Sequence, residues 1–122
     1  MPKFILLVDD NPRVRHGLRR AFESSGFTVS EAEDGDKAVK HVGRYTPDLI
    51  VLDLAMPIMN GLQAAPLLRK VLPAVPIILF TLYAGSALEA KAKAAGITFV
   101  MSKETAITEL LGKANELLNA LT

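Results

Sequence analysis

Leu49-Ile50-Val51-Leu52-Asp53-Leu54-Ala55-Met56-Pro57 runs four apolar residues straight into one carboxylate and then into a proline-containing loop. A short continuous apolar run bounded by turn signals reads as a strand buried on both faces, the kind found in parallel sheets covered by helices. Asp53 then stands where the strand runs out, at the carboxyl edge where open α/β folds place ligands and chemistry. The same residue could simply cap the next turn, as Asp often does. From this stretch alone the two readings are even.

The flanks repeat the pattern. Phe4-Ile5-Leu6-Leu7-Val8 is a second apolar run and ends in Asp9-Asp10; Asn11-Pro12 then opens a helix carrying Val14, Leu18, Ala21 and Phe22 at helical spacing, with Gly26 as its stop. Arg13, Arg15, Arg19, Arg20 and Glu23 fill that helix's polar side, read here as a solvated face. Phe27–Ala32 alternates as a half-buried strand, Asp34-Gly35-Asp36 turns and caps, and a short helix runs to about Tyr45. After the Asp53 loop, Leu62, Ala65, Leu68 and Val71 mark a helix with Pro66 inside it, predicting either a kink or a start delayed to Pro66. Ile77-Ile78-Leu79-Phe80 is a buried strand ending in Thr81, and an alanine-rich helix spans about Ser86 to Ala95. Thr98-Phe99-Val100-Met101 is the fifth strand, ending in Ser102-Lys103, and Ile107 through Leu121 form the most strongly periodic helix.

Five strands alternating with five helices predict an α/β fold with a parallel sheet and helices on both faces. The 122 residues, half of them hydrophobic, predict a single domain over 1–122 with a sizeable core. A net charge of +1 gives no argument for nucleic acid or a membrane surface. The absence of cysteine removes disulfides and thiol chemistry. His16 and His41 sit in unrelated helical contexts and read as surface residues. No signal peptide or membrane-length apolar run is visible, so a soluble cytoplasmic protein is the expectation.

In a parallel sheet the strand ends share one edge, so Asp9-Asp10, Asp53, Thr81 and Lys103 converge. Carboxylates that close repel unless a cation joins them. An all-oxygen donor set suits a hard cation, and a water-rich site with few carboxylates fits Mg²⁺ better than Ca²⁺. Lys103 would offer a point charge to a phosphate oxygen, Thr81 a hydroxyl, and Asp53 a nucleophile able to form an aspartyl-phosphate. Each residue taken singly also has a bland reading as a cap, a β-former or a solvated lysine.

Together the motifs Val8-Asp9-Asp10-Asn11, Asp53-Leu54-Ala55-Met56-Pro57-Ile58-Met59-Asn60-Gly61, Phe80-Thr81 and Met101-Ser102-Lys103 resemble the receiver (phosphoacceptor) domain of two-component response regulators along essentially the whole chain. The resemblance implies a flavodoxin-like doubly wound (βα)5 fold with strand order 2-1-3-4-5. It implies phosphorylation of Asp53 by a histidine kinase or phosphotransfer protein, and loss of that group to a metal-positioned water. Asp10 becomes a direct Mg²⁺ ligand, Asp9 an acidic partner partly through water, and Ala55 a carbonyl ligand, with Asp53 shared by metal and phosphoryl group. Thr81 becomes the switch hydroxyl and Lys103 the phosphate-binding lysine. The implied homodimer or effector face is the fourth helix, fifth strand and fifth helix, with no direct nucleic-acid or membrane contact. The chain would be a switch that catalyses its own modification rather than an enzyme acting on a separate substrate.

Three positions depart from the family pattern. Val100 stands where an aromatic residue is usual, and Phe99, one residue away on a strand, points to the opposite face, which puts the usual coupling of threonine and ring in question. Glu104 follows the lysine where Pro is usual; a cis bond without Pro costs about 2.5–4 kcal/mol, so a trans bond is expected. Leu82 replaces a small residue, and with Tyr83 is expected to narrow access to the acyl phosphate. Two other functions compete. A phosphatase of the haloacid-dehalogenase kind needs a second acid two residues after the nucleophile, where this chain has Ala55. A pseudo-receiver would dock or dimerise without phosphorylation, a reading that Val100 and Glu104 keep open. The end of the chain soon after the last helix fits a stand-alone receiver or a piece of a longer regulator.

Overall fold

The computed structural model describes residues 2–119. Strands β1 (Phe4–Val8), β2 (Thr28–Ala32), β3 (Leu49–Leu52), β4 (Ile77–Thr81) and β5 (Phe99–Ser102) alternate with helices α1 (Pro12–Ser24), α2 (Gly35–Val42), α3 (Gly61–Val71), α4 (Ser86–Ala94) and α5 (Ile107–Asn119). The strands form one parallel sheet in the order β2-β1-β3-β4-β5. This is the doubly wound flavodoxin-like arrangement, and the reversal of winding between β1 and β3 opens the sheet's carboxyl edge there.

Side-chain alternation sorts the core into two layers. Leu6, Val8, Ile50, Leu52 and Leu79 pack against Ala38, Val42, Ala65, Leu68 and Ala92 of α2, α3 and α4. Ile5, Leu7, Val51, Ile78 and Phe80 pack against Leu18, Phe22, Leu110 and Ala114 of α1 and α5. Burying each large apolar side chain contributes about 1.5–3 kcal/mol, which is why the central strands carry almost no polar residue until they end.

The helix starts use local chemistry. Asn11 Oδ1 accepts from the backbone N–H groups of Arg13 and Val14 at 2.9 and 3.4 Å, with Pro12 at the first helical position. Asp34 caps α2. Asn60 and Gln63 form a reciprocal capping box on α3, each bond 2.9 Å. That box starts α3 at Gly61, earlier than the delayed start entertained at Pro66; the helix runs through Pro66, which lies on its exposed face. Helix α2 stops at Val42 rather than near Tyr45, with Gly43 as its C-cap and the N–H groups of Arg44 and Tyr45 both donating to the His41 carbonyl. Leu121, placed in the last helix by its periodicity, lies outside the described residues.

Two backbone features carry no sequence signal. Ile58 has φ +70° and the Met59 N–H donates to the Pro57 carbonyl at 2.7 Å, a γ-turn of the strained hand on a residue that is 83 % exposed. At the opposite end of the sheet, Arg69 of α3 donates to the carbonyls of Leu72 (2.9 Å), Val75 (2.6 Å) and Gly96 (2.6 and 3.2 Å). One guanidinium thus ties the end of α3 to the turn that ends α4. Among the described residues no helix is long and apolar enough to cross a membrane.

Candidate functional site

The ends of β1, β3, β4 and β5 carry Asp9, Asp10, Asp53, Thr81 and Lys103 to one edge of the sheet, where Asp9, Asp10, Asp53 and Lys103 line a shared crevice and Thr81 lies buried at the end of β4. The backbone ladders continue one residue past the strands: Asp9 N–H donates to Ala32 O (3.2 Å), Asp53 N–H to Val8 O (2.8 Å) and Lys103 N–H to Thr81 O (2.9 Å). The sheet itself therefore fixes the backbone positions from which these side chains start. Asp9, Asp53 and Thr81 are buried, whereas Asp10 is exposed. A carboxylate oxygen from each of Asp9, Asp10 and Asp53 lies within 4.8 Å of the other two. Lys103 reaches across them, donating to Asp9 Oδ2 at 2.7 Å and lying 3.2 Å from Asp53 Oδ1.

One ammonium cannot balance three carboxylates. Burial, and then the charge of Asp9, raise the Asp53 carboxyl above its usual range, and Lys103 and the Leu54 N–H only partly pull it back. Burial by itself lowers the Lys103 ammonium, but the hydrogen bond and charge of Asp9, followed by those of Asp53, outweigh it and its pKa is raised. An oxygen-only donor set with surplus negative charge fits a hard divalent cation, which Asp9, Asp10 and Asp53 could hold.

The remaining contacts decide how open the site is. Asp53 Oδ1 accepts the Leu54 N–H at 2.9 Å as well as facing Lys103, so Asp53 Oδ2 is the less engaged oxygen. Thr81 Oγ1 accepts the Tyr83 N–H at 3.1 Å, which leaves its own hydrogen available. Asp9, Asp53, Ala55, Leu82, Tyr83 and Lys103 are among the residues lining a crevice of about 180 Å³. Leu82 and Tyr83 are 61 % and 65 % exposed at its mouth. Below it Gly61 is indispensable: a Cβ there would stand 2.4 Å from the Asp53 carbonyl oxygen and 2.9 Å from Leu79.

Two of the departures take the expected geometry. Every peptide bond among the described residues is trans, Lys103–Glu104 included. Val100 packs toward the α2, α3 and α4 layer, and Phe99 faces the other way under Lys113, whose Nζ lies 4.2 Å from the ring centroid. His16 is exposed, but His41 is not a plain surface residue: it packs 6.3 Å from Phe4 and 5.3 Å from Tyr45, centroid to centroid. Neither joins the acidic cluster.

The basic side of α1 is not simply a solvated face. Arg15 is largely buried; its Nε donates to Glu31 Oε1 at 2.9 Å and its Nη1 to the Asp9 carbonyl at 2.7 Å. Arg19 takes the other Glu31 oxygen at 2.6 Å and the Val29 carbonyl at 3.1 Å. Burial raises the Glu31 carboxyl, but hydrogen bonds from Arg19 and Arg15 overcome it and leave it below its ordinary value. Sequence periodicity shows each of these residues on its own element and cannot show the pairing between elements.

Residues 5–115 match the profile of the response regulator receiver domain. The response regulator MprA of Mycolicibacterium vanbaalenii is 34% identical over 122 residues, covering 100% of this chain and 53% of the relative, so the chain spans about half that protein's length. A two-component response regulator of the LuxR family from Aurantimonas superposes with a TM-score of 0.92 at 35% identity, over 98% of this chain and 87% of that one. A response regulator of Burkholderia pseudomallei, solved with a phosphorylated aspartic acid, a calcium ion and citrate, superposes with a TM-score of 0.84 at 28% identity, over 89% of this chain and 64% of that one. With the fold, the acidic crevice and these relatives in agreement, the chain belongs to the receiver domain family of two-component response regulators.

Proposed function

We propose that this chain accepts a phosphoryl group on Asp53 from a histidine kinase or phosphotransfer protein and uses it to switch a partner surface. The observation that carries the reading is the convergence of three carboxylates within 4.8 Å, with Lys103 spanning two of them. In the transfer, Asp53 Oδ2 attacks phosphorus, the bond from phosphorus to the donor's imidazole nitrogen breaks, and that nitrogen keeps the electron pair. Lys103 turns from Asp53 Oδ1 to a phosphoryl oxygen while staying tethered by Asp9. Asp9, Asp10 and Asp53, with the Ala55 carbonyl, would hold Mg²⁺, which would supply positive charge to offset the negative charge of the phosphoryl group. The aspartyl-phosphate of the Burkholderia relative is consistent with this assignment.

Thr81 then connects the site to the rest of the molecule. Its hydroxyl can donate to a phosphoryl oxygen, and any shift to do so disturbs the bond it accepts from Tyr83 N–H at the start of the loop into α4. Charge-assisted bonds from Thr81, Lys103 and a loop N–H, at roughly 1.5–3 kcal/mol each, reach the ~5.5 kcal/mol needed to move a two-state equilibrium from 1:99 to 99:1. An aromatic residue at position 100 is not required on energetic grounds. The surface that answers is the α4–β5–α5 face, where Glu89, Lys93, Thr98 and Phe99 are among the residues lining a groove of about 420 Å³; a homodimer or effector would bind there.

Intact mass after incubation with acetyl phosphate tests the proposal. The expected result is a Mg²⁺-dependent gain of one phosphoryl group in the wild type and none in Asp53→Asn. No gain under conditions that label an ordinary receiver would replace this reading with a phosphorylation-independent docking module.

A further inference from the structure

We infer that Arg15 is a positioning residue for the metal side of the site, holding the Asp9–Asp10 peptide so that Asp10 faces the crevice. This rests on the cation-binding reading above. Asp9 has its own side-chain anchors: Oδ1 accepts the Asn11 N–H at 2.9 Å and Oδ2 accepts Lys103. Asp53 is held by Leu54 and Lys103. Asp10 is exposed and has no side-chain hydrogen bond among the described residues, so its direction is set by the backbone that carries it. That backbone is pinned at three points. Before it, the Asp9 N–H donates to the Ala32 carbonyl; after it, the Asn11 N–H donates to Asp9 Oδ1; and on the very peptide that leads into Asp10, Arg15 Nη1 donates to the Asp9 carbonyl, the one anchor among the three supplied by a side chain of another element.

Arg15 can do this because its other side is fixed. Glu31 takes its Nε, Arg19 takes the second Glu31 oxygen, and the Val29 carbonyl anchors Arg19. The chain of bonds runs from the middle of β2 to the acidic loop. A forked guanidinium spans a carboxylate and a carbonyl together; a lysine ammonium is a single point on a flexible stem.

The sign of the effect separates positioning from simple charge. Removing a cation beside a metal site would, by relief of Coulomb repulsion alone, tighten Mg²⁺ binding. Loss of positioning weakens it, by about tenfold for an outer contact of this kind. The experiment is a Mg²⁺ titration of the full chain, followed by the backbone amide NMR shifts of Asp10 and Asn11, for the wild type, Arg15→Met and Arg15→Lys. The expected result is weaker Mg²⁺ binding in both variants, with labelling by acetyl phosphate slowed at low Mg²⁺ and restored when Mg²⁺ saturates. Equal or tighter binding in Arg15→Met overturns the inference; if that variant does not fold, equal binding in Arg15→Lys does so. A wild type with no saturable Mg²⁺ response overturns the cation site itself, and the inference with it.

Discussion

The two ends of the crevice are built differently. On the β1–β3 side, Asp9 and Asp53 are buried, their backbones continue the sheet ladder, and Gly61 lets α3 approach to a distance no side chain could tolerate. On the β4–α4 side, Leu82 and Tyr83 stand in solvent, Gly85 offers α4 no side-chain cap, and Ala92 is the one buried residue of that helix. β5 beside it is only half-buried. Geometry for chemistry needs groups held rigidly, whereas a response to that chemistry needs an element with few buried contacts. The molecule divides these demands between neighbouring loops.

Glycine substitutions probe the contrast most sharply. Gly61→Ala should cost about 3 kcal/mol, because the new methyl meets the Asp53 carbonyl oxygen, which cannot swing away, as well as Leu79, and urea denaturation would read it as a lowered midpoint. A cost below about 1 kcal/mol would show that the rigid side can yield. Gly85→Ala is the counterpart: its φ of 172° suits any residue and nothing lies within 4 Å of the added methyl, so a change within about ±0.5 kcal/mol is expected.

Asp53→Asn tests the electrostatic cost of the rigid side. The Asp53 carboxyl titrates above its ordinary value, 3.8, so between the two values the folded state holds more protons than the unfolded one. Stability from this group therefore falls as pH rises through that window, and the cost is fully present above it. At neutral pH the substitution should stabilise by roughly 1 kcal/mol, raising Tm by about 3–6 °C, and the gain should vanish as pH falls below the ordinary carboxylate range. A destabilised Asn variant at neutral pH would mean that the Lys103 contact outweighs burial and the repulsion from Asp9.

A kinetic effect lies on the loose side. Leu82→Ala should widen the mouth of the crevice and let the phosphorylated chain lose phosphate a few-fold faster, a change of about 1 kcal/mol or less in barrier. An unchanged rate in a phosphate-release assay would show that Leu82 does not restrict access.

The rigid side was also the more legible in the sequence. Apolar runs ending in Asp9-Asp10, Asp53 and Thr81 announce buried strands and their carboxyl edge, because a strand covered on both faces can admit a polar residue only where it stops. Asn11 with Pro12, and Asp34 before Gly35, announce helix starts by local hydrogen bonding. What stayed hidden depends on contacts between elements. Arg15 reads as one of several solvated arginines until Glu31 and the Asp9 carbonyl are seen beside it. The γ-turn at Ile58 could not be anticipated, since a β-branched residue is the wrong signal for positive φ. Helix α3 begins before Pro66 because its capping box outweighs a proline whose missing donor falls on the solvent side.

Arg69 gives α4 the mechanics of a lever. Its guanidinium fastens the Gly96 turn to the carbonyls that close α3, so the far end of α4 is a fulcrum welded to the floor of the domain. Among the described residues the near end, beside Leu82 and Tyr83, has no comparable fastening. Whatever displaces α4 therefore meets less resistance at the crevice than at the end that Arg69 holds.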